Sequence, residues 1–78
     1  MAKVSKEMVN IRIKLLKDMH QYIIEIGDEE IYMDWVTLAV PDEPREDDFE
    51  SIAEDDENWC ECCSLFYRLA KYDLEENY

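Results

Sequence analysis

The 78-residue chain has one glycine, two prolines, one histidine and only eight basic residues. Each scarcity excludes something. With Gly27, Pro41 and Pro44 as the only strong chain breakers, loops must be few and mostly short, and the punctuation favours helices. No run of 18 apolar residues exists for a membrane span, and the apolar stretch near the start is broken by Arg12, Lys14, Lys17 and Asp18. A soluble, unprocessed chain is expected. Cysteine is confined to Cys60, Cys62 and Cys63. An odd number packed so closely argues against a disulfide scaffold and for a reducing cytoplasmic setting. There is no glycine-rich phosphate loop, nucleophile motif or histidine-centred dyad, so no enzyme activity is expected.

Negative charge is abundant. Asp and Glu number 21 against 8 Lys and Arg, for a net charge of −13. Apolar residues still make up 47% and aromatics 12%, which is more than unfolded acidic chains carry. One acidic globular domain over residues 1–78 is expected, burying roughly 60 to 65% of its unfolded surface. The charge is uneven: residues 1–20 sum to +3 and residues 21–78 to −16. From Pro41 to Asn58, ten carboxylates face Arg45 alone, a net of −9 over 18 positions. Such a field repels nucleic acid and anionic membrane and attracts basic protein surfaces.

The apolar spacing predicts an all-α fold, a small bundle of three to four helices at about 6–26, 29–39, 45–54 and 56–75. At 100° per residue, Met8, Val9, Ile11, Leu15, Leu16, Met19, Tyr22, Ile23 and Ile26 share one arc, with Ser5 as N-cap and Gly27 as C-cap. His20 falls on the polar edge of that helix, and Ile13 and Ile24 lie off the arc. Asp28 can cap a second helix carrying Ile31, Tyr32, Trp35, Leu38 and Ala39. The β propensity of this segment keeps an α+β alternative, with 31–40 as a strand. Pro44 suits the start of a third helix burying Phe49, Ile52 and Ala53. Asp55 or Asp56 can cap the last helix, whose apolar positions are Trp59, Cys60, Cys63, Phe66, Tyr67, Leu69 and Ala70, with Leu65 and Tyr72 widening the stripe to about 75 and a tail from Glu75 to Tyr78 that frays.

The cysteines make a weak metal set. Cys60 and Cys63 form one Cys-x-x-Cys pair, and tetrahedral zinc takes two such pairs or added histidines. Asp56, Glu57 and Glu61 disfavour the thiolate that redox chemistry requires. Packing in the core is the expected role, with no metal and no cofactor. Asp47 to Glu57 lacks the glycine of a calcium loop.

The acidic segment carries the functional expectation. Duplex DNA shows one charge per roughly 1.7 Å of axis; ten carboxylates over 18 helical residues show one per roughly 2.7 Å. Carboxylates also pair with arginine in the two-pronged geometry that phosphates use. The candidate partner-binding residues are Asp42, Glu43, Glu46, Asp47, Asp48, Glu50, Glu54, Asp55, Asp56 and Glu57.

In length, charge, carboxylate density from Asp42 to Glu57 and lack of a catalytic motif, the chain resembles the small acidic inhibitors of phages and mobile elements, the DNA-mimic anti-restriction and anti-CRISPR proteins. That class shares no sequence signature. The resemblance implies a stoichiometric inhibitor occupying the basic nucleic-acid cleft of a nuclease, such as a CRISPR effector, or of another DNA-binding protein in a bacterial host. The alternative is an acidic adaptor that joins a larger complex through apolar residues such as Ile13 and Ile24, without nucleic-acid mimicry. Pairing of two copies through the first helix is a further expectation.

Overall fold

The computed structural model describes residues 4–77, and they fold into four helices: α1 Lys6–Ile26, α2 Glu29–Leu38, α3 Glu46–Glu54 and α4 Asp56–Asn77. The 31–40 segment is helical through Leu38, so the strand alternative is set aside. Asp28 explains why: its carboxylate accepts from the backbone N–H of Glu30 at 3.0 Å and of Ile31 at 3.2 Å. Two orphan donors are thereby satisfied, and Glu29 and Glu30 sit at the positive helix end. Strand propensity yields here to capping and to the burial of Ile31 and Trp35 on one side.

The ends of α1 follow the same logic. Ser5 accepts from the Met8 N–H at 3.1 Å, and Gly27 adopts φ 74° while its N–H reaches the Ile24 carbonyl. That left-handed conformation suits a residue without Cβ. Within α1, Val9, Leu16 and Ile23 recur every seventh residue and are all buried, which marks a helix packed along its length against near-parallel neighbours.

Side-chain pairings fix the directions. Arg12 meets Asp56, while Tyr22 donates to Asp73 at 3.4 Å, so α1 and α4 run parallel. Trp35 meets His20, Lys17 meets Glu46 and Arg12 meets Ala53. Consequently α2 and α3 lie end to end, antiparallel to α1, over the seam between α1 and α4. Together they amount to a third helix broken at residues 39–45. Val40 is fully buried at that break, and Glu43 takes φ 51°. Two helices of 21 and 22 residues give the molecule its 41 × 22 × 17 Å extents.

Several expected faces are rotated. His20 is buried and Arg12 and Ile13 are partly so, whereas Met8, Ile11 and Leu15 are exposed. The apolar arc of α1 is wider than the strip its neighbours cover, and that strip is centred toward Arg12 and His20. Ile13 packs against the core, and Ile24 is exposed. On α4 the buried positions are Cys62, Leu65 and Leu69, at i, i+3 and i+7. Cys60 and Tyr67 face outward. Leu38 is 65% exposed. α4 remains helical through Asn77, two residues past the expected end, and Tyr78 lies outside the described residues.

Leu16 has no exposed surface and sits where α1 meets the other helices. Leu16→Ala is expected to destabilise the domain by about 3 kcal/mol, and Leu38→Ala by less than about 0.5 kcal/mol. Urea unfolding followed by circular dichroism checks the contrast; equal losses would contradict the core described here.

Candidate acidic interface

The ten carboxylates from Asp42 to Glu57 do not form one helical face. A loop, a short helix and a sharp corner divide them, and several serve the fold itself. Asp48 accepts from the Arg45 backbone N–H at 2.8 Å, closing the N-terminus of α3. Asp55 accepts from the Asn58 N–H at 3.1 Å, so it ends α3 and opens α4. Asp56 pairs with Arg12 at 2.9 Å, Glu46 with Lys17, and Asp42 accepts the Tyr32 hydroxyl. Among the described residues, Glu43, Asp47 and Glu57 make no side-chain hydrogen bond or ion pair.

On α3 the burial of Phe49, Ile52 and Ala53 turns Asp47, Glu50 and Glu54 outward at i, i+3 and i+7. Like charges at these spacings repel. The hydrogen bond that protonated Glu50 makes to Glu54, followed by the charge of Glu54, holds the Glu50 carboxyl above its ordinary 4.5, with smaller contributions from burial, Asp47 and Glu46. Neither α2 nor α3 contains a single Lys or Arg, and from Asp18 to Tyr67 Arg45 is the sole basic residue.

Because α2 and α3 lie in line, the structure adds acids from outside the Asp42–Glu57 segment. Glu29, Glu30 and Asp34 are exposed on α2. Asp47, Glu50 and Glu54 form the acidic ridge of α3, and with the α2 acids they leave the exposed surface of both helices without a cation. Their separation in sequence hid them; the signal available was the absence of any cation across both segments.

Under the break between α2 and α3 lies His20. Its Nδ1 accepts the Trp35 indole N–H at 3.0 Å, which places the ring proton of the neutral imidazole on Nε2. The ring also meets Phe49 edge-on, with centroids 6.4 Å apart. Burial holds this imidazole below its ordinary 6.5, with Asp42 opposing the shift. Tyr32 is held above its ordinary 10.0 by its hydrogen bond to Asp42, then by burial and the charges of Asp42 and Glu43.

The cysteines have three different settings. Cys62 is buried, Cys63 half-buried and Cys60 exposed. Burial pushes the Cys62 thiol up to about 11, assisted by Cys63 and Glu61. Burial likewise raises Cys63, with Cys60 assisting and Arg12 opposing. Among the described residues no group of three His, Cys, Asp or Glu side chains is placed to hold a metal ion. An open groove of about 400 Å³ runs beside Leu38, Cys60, Glu61, Ser64, Leu65 and Arg68; the one histidine is bonded to Trp35 instead. No described helix is long and apolar enough to cross a membrane.

The class these features define is a small all-helical bundle with an acidic ridge. Comparisons with family models, curated proteins and solved structures return no match to the chain.

The chain has one histidine, so its imidazole signals are assigned without ambiguity. An NMR titration is expected to place the His20 midpoint below 6.5, with the Trp35 indole N–H signal moving in step. The sign is fixed: a depressed base contributes fully to stability above the unfolded value of about 6.5 and loses that contribution as pH falls toward the folded midpoint. A midpoint at or above 6.5 would refute the buried, neutral assignment.

Proposed function

We propose that this protein is a stoichiometric inhibitor whose acidic α2–α3 surface imitates a nucleic-acid backbone and occupies the basic cleft of a nuclease or another nucleic-acid-binding protein. A single observation carries the reading. Asp47, Glu50 and Glu54 crowd one helix face with no cation on α2 or α3 to offset them, and the Glu50 carboxyl is held above its ordinary value first by its hydrogen bond to Glu54 and then by the Glu54 charge. An isolated fold gains nothing from that crowding. A partner bearing Lys and Arg turns the same crowding into attraction, since charges preorganised on a short rigid helix meet a cationic groove without reordering.

The position of the acids sharpens the mechanism. Those that cap helices or pair with Arg12 and Lys17 hold the ridge in shape, and those pointing outward are available to a partner. Association should be fast at low salt and weaken steeply as salt rises, because each contact replaces a screened charge. Exclusion of nucleic acid follows from occupancy alone, without cleavage or modification of the partner. A CRISPR effector, whose arginines read the PAM and whose channel holds a heteroduplex, is one partner of this chemistry.

The test separates binding from stability. Glu50→Gln relieves repulsion and is expected to raise Tm by about 2 to 4 °C. The triple change Asp47→Lys, Glu50→Lys, Glu54→Lys should keep the helical circular dichroism yet weaken partner binding at least about tenfold. The partner is obtained by capture from a bacterial lysate at low salt and eluted at high salt, and its displacement from DNA or guide RNA is then measured. Recovery of proteins with no nucleic-acid site, or capture unchanged by the triple variant, would overturn the proposal.

A further inference from the structure

α2 is the most lightly held of the four helices. Ile31 and Trp35 are its two buried residues, Met33 and Leu38 are exposed, and an open groove lined by Leu38, Cys60 and Leu65 lies between its last turn and α4. By contrast α3 is tied to α1 near both ends, by Lys17 with Glu46 and by Arg12 with the Ala53 carbonyl. Among the described residues, the Trp35 indole N–H donating to His20 Nδ1 at 3.0 Å is the one side-chain hydrogen bond or ion pair between α2 and another helix. Both flanks of α2 can bend. Gly27, at φ 74° with open space around it, precedes the helix, and the 39–45 break follows it.

That single tie depends on one lone pair. Trp35 can only donate, so His20 holds it only while Nδ1 carries no proton. A proton added to the neutral ring goes to Nδ1, and two donors then face each other where a donor faced an acceptor. A buried N–H without an acceptor is costly, and the surroundings offer the new cation little. On α1, Lys17 stands one turn before His20, with its ammonium over the Phe49 ring that the imidazole also meets, and it is already paired with Glu46 of α3. α2 brings Tyr32, whose hydroxyl donates to Asp42, and α4 brings only the uncharged ring of Phe66 behind Trp35. Asp42, in the break, attracts the imidazolium, but burial outweighs that attraction. Its carboxylate is exposed and therefore screened by water and salt.

We infer that His20 is an acid-operated latch on α2: protonation at Nδ1 expels the Trp35 N–H, and α2 lifts from the bundle between Gly27 and the 39–45 break while α1, α3 and α4 stay packed. Lifting brings the imidazolium into water and uncovers the ring of Phe66. It also carries Glu29, Glu30 and Asp34 away from Asp47, Glu50 and Glu54, so the acidic surface is whole when the latch is closed and divided when it is open. The latch operates whether or not that surface imitates nucleic acid.

Amide hydrogen exchange of the full chain between about pH 7.5 and 5, read as protection factors so that the intrinsic pH dependence of exchange is removed, is the test. Protection of the α2 amides is expected to lie at least about tenfold below that of α1 and α4, and to fall as pH drops below about 6.5, by up to about tenfold per pH unit, until the folded midpoint of His20 is reached. His20→Asn offers a neutral acceptor that does not titrate, and should hold α2 protection level across the range. Asp42→Asn is a surface change that spares the fold and removes the charge favouring the imidazolium in the closed state, so it should deepen the fall. α2 amides that exchange together with those of α1 and α4 at every pH overturn the latch. So does an acid response that survives in His20→Asn, or a shallower fall in Asp42→Asn than in the unaltered chain.

Discussion

Arg12 is the point on which the bundle closes. Its guanidinium reaches from the middle of α1 to the Ala53 carbonyl at 3.1 Å and to Asp56 at 2.9 Å, and stands over the Trp59 ring at 5.3 Å. One cation thus meets the carbonyl-rich end of α3 and a first-turn carboxylate of α4, on either side of the one-residue break at Asp55. Each contact suits a positive charge: helix C-termini carry partial negative charge, and an indole face attracts a guanidinium. The side chain is 14% exposed while Asp56 is 67% exposed, so the pair is wet on one side and neither ion is fully desolvated. The buried Nε is left without a partner, a local cost that stands against the two bonds and the contact with the indole face. A leucine there would fill volume and leave the corner untied.

Charge asymmetry along the chain acquires a structural meaning from this contact. The basic first helix is the internal counterion of the acidic remainder: Arg12 holds the corner between α3 and α4, and Lys17, above the Phe49 ring at 5.9 Å, holds Glu46 at the opening of α3. Carboxylates within reach of α1 become part of the fold, and those on the far side of α2 and α3 are left facing outward. The boundary between the two sets is geometric, since α2 and α3 are each one helix thick and only their inner faces meet α1 or α4.

Much of this fold was legible in the residues. Ser5 and Gly27 bracket α1, Asp28 opens α2, and Phe49, Ile52 and Ala53 define the inner face of α3, because capping and apolar spacing are local signals. What was not legible was which part of a wide apolar arc the neighbours cover. Ile11 and Leu15 are as apolar as Leu16, and only the positions of α2 and α3 decide that Leu16 is enclosed and the other two are not. His20 and Arg12 were hidden for a related reason: each is polar, and each is drawn inward by groups distant in sequence, the Trp35 indole for His20 and the Ala53 carbonyl with Asp56 for Arg12. The acidic site was half legible. Carboxylate density marked the Asp42–Glu57 segment, but helix capping consumes part of it, and the alignment of α2 with α3 brings in Glu29, Glu30 and Asp34 from a separate stretch.

His20 shows how the break between those two helices is kept in register. The imidazole lies beneath the junction, takes the Trp35 N–H from α2 and meets the Phe49 ring of α3, while Phe66 of α4 closes on Trp35 edge-on at 6.0 Å. A neutral acceptor is required there, because Trp35 can only donate. Burial supplies that neutrality against the pull of Asp42, so the aromatic layer works with an uncharged ring despite the acidic surface above it. The two short helices thus share one anchored junction. Repulsion among Asp47, Glu50 and Glu54 is therefore borne by side chains at the surface, while α3 beneath them is held by the buried Phe49, Ile52 and Ala53 and, at its two ends, by Lys17 and Arg12.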